Sequence, residues 1–243
     1  MTISEMHQGF KLGMDRLDTM SNPDFNIAEI DWLLNEAQII FINQLLSPSK
    51  LRNRTFETHQ MAIDDLSNLV IKTEPAITPT LLDTGVYEVD LNNLMYPYMQ
   101  LLSTYTSIDL GSDCTKNVLL KFIQHDDYRQ SLKDPFNSPS LEFLPYNFGR
   151  SSSSGEFPSM FIYTMGLPST YTYTVFIDYL KRPTKMNFGG YKYIDGIVYS
   201  STDCELHVNT HEKIVDIACQ IASLNVQSPE YIQMKASKVF LNN

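Results

Sequence analysis

His207 and His211 stand four residues apart, close enough to share one face of a helix, and form the pair best spaced to hold a metal ion. Zinc hydrolysis built on such a pair needs a general base between the ligands, as in His-Glu-x-x-His. Here Glu212 falls outside the pair, and Asn209 sits between the histidines at the place of a helix N-cap. Polar residues at a helix entrance account better for both. His125-Asp126-Asp127 has the composition of an acid–base or metal cluster, but also that of a polar strand end entering a turn, which is the reading preferred. The serines at 151–154 lie in no Gly-x-Ser-x-Gly elbow, and Gly189-Gly190 is no phosphate loop. Cys114, Cys204 and Cys219 show no Cys-x-x-Cys spacing and read as reduced thiols. Tyr163, Tyr171, Tyr173 and Tyr179 have the makings of a stacking platform for bases or sugars. Their alternation along a strand, without interleaved cations, reads instead as cross-strand packing. From these residues we expect no catalysis, no metal and no cofactor.

The elements that position these residues follow from periodicity. Ile3, Met6, Phe10, Met14 and Leu17 mark one side of a helix over 3–17, which Gly9 and Gly13 weaken by up to about 1 kcal/mol each relative to alanine. After the turn at Asn22-Pro23 a stronger helix opens at Asn26, with Glu29 completing a capping box, and ends before Pro48. Its stripe is Ile27, Ile30, Leu34, Ala37, Phe41 and Leu45, and Trp32 and Phe41 favour packing in the chain's own core. A third helix is expected over about 56–68. The pattern then turns to strands at 69–73, 86–90, 100–110 and 117–124. Pro135, Pro139, Pro145 and the serine run mark a long connection, with 150–156 expected as a mobile loop. The β-branched and aromatic runs at 159–164 and 171–181 are the clearest strands. Two helices close the chain. One is capped by Asn209 and Glu212, and the other opens at Ser228-Pro229-Glu230 and runs to about 241.

Helices, strands and helices in that order predict an α+β fold: N-terminal helices, a central mostly antiparallel β-sheet or sandwich and a C-terminal helical pair. We expect one domain over 1–243, with 1–22 as an N-terminal arm. The chain carries 18 Lys and Arg against 28 Asp and Glu, a net charge of −10 that repels phosphate backbones and argues against tight nucleic-acid binding. No apolar run approaches the roughly 20 residues that span a bilayer, and no basic-then-apolar leader opens the chain; a non-secreted, non-membrane product is expected.

Three runs carry a likeness to a known group. Phe10-Lys11-Leu12-Gly13-Met14-Asp15, Pro23-Asp24-Phe25 and the stretch from Glu29 to Gln38 resemble virion structural proteins of crAss-like tailed bacteriophages. Residues 210–218, following the strand that ends Leu180-Lys181-Arg182-Pro183, are similar to the same group. The resemblance covers about a third of the chain. It implies a ring-forming neck or tail subunit or head–tail connector, a dodecamer stacked between portal and tail, through whose lumen the genome passes. It also implies a place in the virion after assembly in the host bacterial cytoplasm, with other neck and tail proteins and the portal as partners. The alternatives are a capsid-associated or cargo virion protein and, from another class, a small hydrolase or a carbohydrate-binding module. A hydrolase needs His125, Asp126, His207 or His211 gathered in one pocket, and a carbohydrate module needs exposed tyrosines. In a ring the terminal helices are the expected contact elements, with Ile3, Met6, Phe10, Met14, Leu17, Ile232 and Val239 as interface candidates.

Overall fold

The computed structural model describes residues 1–17, 25–46, 64–72, 77–111, 114–127, 134, 138–150, 158–165, 167–168, 170–192 and 196–225. The chain forms two compact units, one made of 1–69 with 183–243 and the other of 70–182. The architecture is α+β, as the order of periodicities requires.

The first unit is helical. α1 (Ile3–Leu17) opens with a reciprocal cap: the Thr2 N–H donates to Glu5 Oε2 at 2.9 Å, and the Glu5 N–H donates to Thr2 Oγ1 at 3.3 Å. α2 (Ile27–Leu46) starts with the Asn26 N–H donating to Glu29 Oε2 at 2.8 Å. Ile30, Leu34, Ala37 and Phe41 are buried along the expected stripe. Trp32, expected in the core, is 57% exposed. It stands two residues from both Ile30 and Leu34, which at about 100° per residue sets it on the far side of the helix. α3 (His211–Asn225) receives both other helices, burying Ile214, Val215, Ala218, Cys219 and Ala222. Gly13 is what lets α1 approach it: a β-carbon there would stand 2.7 Å from Cys219 Sγ, whereas one at Gly9 would meet Val215 at 3.5 Å, an ordinary contact. The helix weakness read from Gly13 is the cost of close packing.

Irregular stretches over 183–192 and 196–206 complete this unit, drawn into a loose ribbon by the bridges Asn187↔Thr202 and Lys192↔Val198. Gly189 turns it with φ +81°, where an added β-carbon would also meet the Ser201 nitrogen at 2.7 Å. Of the helix expected over 56–68, residues 64–66 are helical and run into a 3₁₀ turn, Ser67–Leu69; the rest lies outside the described residues. The same holds for residues 151–156 of the expected loop at 150–156 and for the last helix over 228–241.

The second unit is a mixed sheet. Among the described residues its strands are β1 (Val70–Ile71), β2 (Thr80–Asp83), β3 (Val86–Asp90), β4 (Tyr98–Asp109), β5 (Thr115–Phe122), β6 (Phe143–Gly149), β7 (Ser159–Tyr163) and β8 (Thr172–Lys181). They lie in the order β1-β8-β4-β5-β6-β7-β3-β2, antiparallel except for β5 beside β6. The sheet curls into a half-barrel. Tyr87 on β3 touches Tyr173 on β8 with ring centroids 4.7 Å apart, although four strands separate them in the order. Ile77, just before β2, exchanges two 2.9 Å backbone hydrogen bonds with Val175 on β8. Alternate residues Tyr173, Val175, Ile177 and Tyr179 enter the core with Val118, Leu144 and Ile162.

β6 corrects the expected long connection between Pro135 and Gly155. Its Pro145 argues against a central strand, since proline donates no ladder bond. Tyr146 O accepts from the Ile123 N–H at 2.8 Å, so Tyr146 faces β5, and by alternation the Pro145 nitrogen faces the β7 side. Pairing with β7 begins only at Tyr146↔Ile162, so the proline sits where no donor is needed. β2 was also not foreseen, because four residues between Pro79 and Gly85 carry no readable period.

Candidate functional site

Asp31 on α2 has no exposed surface and gathers polar groups from α1 and from residues 188–191. Its Oδ1 is 2.8 Å from His7 Nε2 on α1. The Phe188 N–H donates to both carboxylate oxygens, at 3.2 and 3.0 Å, and the Tyr191 hydroxyl donates to Oδ2 at 2.5 Å. One turn on, the Asn35 amide donates to Asp31 O and Met186 O and accepts the Met186 N–H at 2.8 Å. α2 therefore holds the irregular stretch 183–192 by two polar side chains spaced four residues apart, with α1 joined through His7. The His7 ring packs 4.8 Å from Phe188 and is closed to solvent. An aspartate–histidine pair of this kind can orient a base, but this one orients a loop. Sequence reading missed it, and its only signal was the polar pair Asp31 and Asn35 interrupting an apolar helix.

The residues singled out for chemistry are placed otherwise. His207 and His211 serve the entrance of α3, but not with Asn209 as the cap. His207 caps the 3₁₀ turn, Val208–Thr210, that leads into the helix: its Nδ1 accepts the Asn209 N–H at 3.4 Å. The correction follows from that extra turn, which moves the start of the α-helix past Asn209. His211 is buried, with Nδ1 and Nε2 each 3.0 Å from the carbonyl oxygens of Met1 and Leu206. His125 and Asp126 are exposed in a turn after β5, in the sheet unit. Tyr163, Tyr173 and Tyr179 are buried and Tyr171 is packed against the same core, so they offer no open stacking groove. Burial pushes the Tyr173 and Tyr179 hydroxyls above their ordinary range. No group of three or more His, Cys, Asp or Glu able to hold a metal ion occurs among the described residues. The serines at 151–154 lie outside those residues.

The cysteines differ sharply in environment. Cys114 is exposed and Cys219 buried, while desolvation pushes the Cys204 thiol from 9.0 up to about 11. Thiolate is the reactive form, so at pH 8 iodoacetamide should label Cys114 first and leave Cys204 unmodified until the protein is denatured or the pH approaches 11. Mass spectrometry of labelled peptides measures this; equal labelling of both at pH 8 would refute it.

Of the interface candidates, Ile3, Met6, Phe10 and Met14 are at most 4% exposed, on the face of α1 that packs in its own unit. The side chain of Leu17, and Ile232 and Val239, lie outside what is described. Exposed apolar side chains collect elsewhere. In the sheet unit these include Leu81 and Leu82 on β2, Leu119 and Phe122 on β5, and Met95. A cleft of about 480 Å³ opens between β4 and β5, lined by Leu101, Leu102, Leu119, Leu120, Phe143 and Tyr146 among others.

The described residues thus hold a buried polar staple, histidines at a helix start, buried tyrosines and exposed apolar side chains on β2 and β5. The family described as phage tail ring protein 3/4, the crAss ring 3/4 family, matches residues 1–230, and the chain belongs to it. It is a structural tail component of the virion, in a family of ring-forming subunits. No curated protein matches the sequence. No helix among the described residues is long and apolar enough to cross a membrane.

Proposed function

We propose that this subunit builds a ring in the neck-proximal part of the tail, joining portal to tail and forming part of the channel through which the genome passes. The observation that carries this reading is the family match over nearly the whole chain. The net charge of −10 supports the channel role, because a carboxylate-rich lumen repels DNA phosphates and lets the duplex slide. A dodecamer matches the symmetry implied by the resemblance, and assembly takes place in the host cytoplasm. Each subunit then contributes two different patches to a head-to-tail contact that closes by rotation. Both units serve this role as parts of one subunit, whose partners are copies of itself, neighbouring tail proteins and the portal.

Cryo-EM of purified virions tests the proposal. The expected result is a twelvefold ring between portal and tail, with Asp and Glu side chains facing the lumen. A location away from the tail axis, another symmetry, or a neutral or basic lumen would each overturn the corresponding part.

A further inference from the structure

The sheet has two incomplete edges that complement each other. β4 pairs with β8 along its whole length, but its ladder with β5 stops at Tyr105↔Leu119. The register of β4 against β8 slips twice, between Tyr98 and Gln100 and between Leu101 and Ser103. Each bulge adds twist and bends β4 away from β5. Beyond Leu119, β5 stays paired through its other edge with β6, from Leu119↔Phe143 to Phe122↔Tyr146, while its ladder with β4 has ended. The result is the cleft already described, a slot in the sheet with Leu101, Leu102 and Thr104 on one wall and Leu119, Leu120 and Lys121 on the other. Leu119 at its rim is 69% exposed.

The other edge is β2, which ends the strand order and, among the described residues, pairs with β3 alone. All four of its residues are exposed, with Leu81 at 64% and Leu82 at 54%. Leu82 falls at the register slip between Leu81 and Asp83, so it is turned out of the ladder with β3. Two neighbouring leucines on an open edge are a hazard that a monomer would remove and an assembling protein covers. Charge agrees as well, since Asp83 follows the leucines on β2 and Lys121 stands on the cleft wall.

We infer that β2 of one copy docks into the β4–β5 cleft of the next copy. The strand edge adds to the open edge of β4, with Leu81 and Leu82 seated on the cleft leucines and Asp83 facing Lys121. The two patches differ and sit on the same unit, which is the head-to-tail contact a ring requires. This inference rests on the ring reading.

Cysteine pairing in assembled tails tests it. In a Cys114→Ser background, Leu82→Cys and Leu119→Cys are introduced together, and tails are treated with a short bismaleimide. The expected result on a denaturing gel is a ladder of covalent multimers, with each single variant remaining monomeric. A chain that is present in tails but stays monomeric as the double variant overturns the contact. Absence of the unsubstituted chain from tails would instead overturn the ring reading. As a second measure, Leu81→Asp with Leu82→Asp should leave the melting temperature of the isolated chain unchanged and abolish its incorporation into tails. Incorporation at the parental level overturns the inference.

Discussion

Phe10→Ala should destabilise the isolated subunit by about 3–5 kcal/mol, the usual cost of emptying a large aromatic site in a packed core. Phe10 has no exposed surface and meets the ring of Phe25 edge-on at 5.4 Å. Its carbonyl lies 3.6 Å from Cys219 Sγ on α3, so the side chain sits where α1 and α3 press together. Urea unfolding of the monomer reads the change directly. Met6→Ala, also fully buried, should follow at about 2–5 kcal/mol. The result discriminates between two roles of α1. A terminal helix waiting for a neighbouring subunit would tolerate both substitutions in the monomer and lose only assembly. Hydrogen exchange gives the same contrast: slow exchange through α1 in isolated subunits is expected, against the sequence-based expectation of an arm ordered only on docking. A loss below about 1 kcal/mol with rapid exchange would restore that arm.

Asp31→Ala has an effect of similar size through a different cause. Removing the carboxylate takes a shared acceptor from the buried His7 ring and from the half-buried Phe188 N–H and Tyr191 hydroxyl. Breaking one side of a buried ionic or hydrogen-bonded pair costs about 3–5 kcal/mol, more than the pair contributes over an apolar replacement. At roughly 2–4 °C per kcal/mol for a chain of this size, the melting point falls by about 6–20 °C. Asp31→Asn keeps an acceptor for part of the network and should fall between wild type and alanine. Asp31→Leu combined with His7→Leu should recover part of the loss, because no polar partner of α1 is then left buried alone. Calorimetry measures the series, and limited proteolysis within 183–206 reports whether the segment is released. A melting point within 2 °C of wild type for Asp31→Ala would show that the network is not what holds the segment.

Much of the fold was legible because it depends on local order. The stripes of α1 and α2, the capping residue Asn26, the β-branched run of β8 and the alternation of β3 each record a period set by backbone geometry. In the sequence, His207, His211, His125 and the serine run each lacked the neighbours their chemistry needs. The misses share a cause. β6 was hidden by Pro145, harmless only because of which neighbour its nitrogen faces, and that is a property of strand order. Asn209 lost the cap to His207 because one 3₁₀ turn shifted the start of α3. Trp32 was assigned to the core by its size, whereas its angular place on α2 decided otherwise.

The family likeness lay in short runs near the two ends of the chain, and the residues from 10 to 38 and from 210 to 218 were enough to suggest a phage ring subunit. What those residues do was another matter. Gly13 read as helix-weakening until α3 was placed against it, and Asp31 read as one polar residue in a motif until His7, Phe188 and Tyr191 closed around it. Periodicity shows that a face will be buried, because a residue's direction from the helix axis is local. It cannot show against what, because a stripe of apolar side chains fits its own core and a neighbour's surface equally well. Only the packing of α1 and α2 on α3 assigned those stripes to the subunit's interior, and only the parting of β4 from β5 left open strand edges for its neighbours.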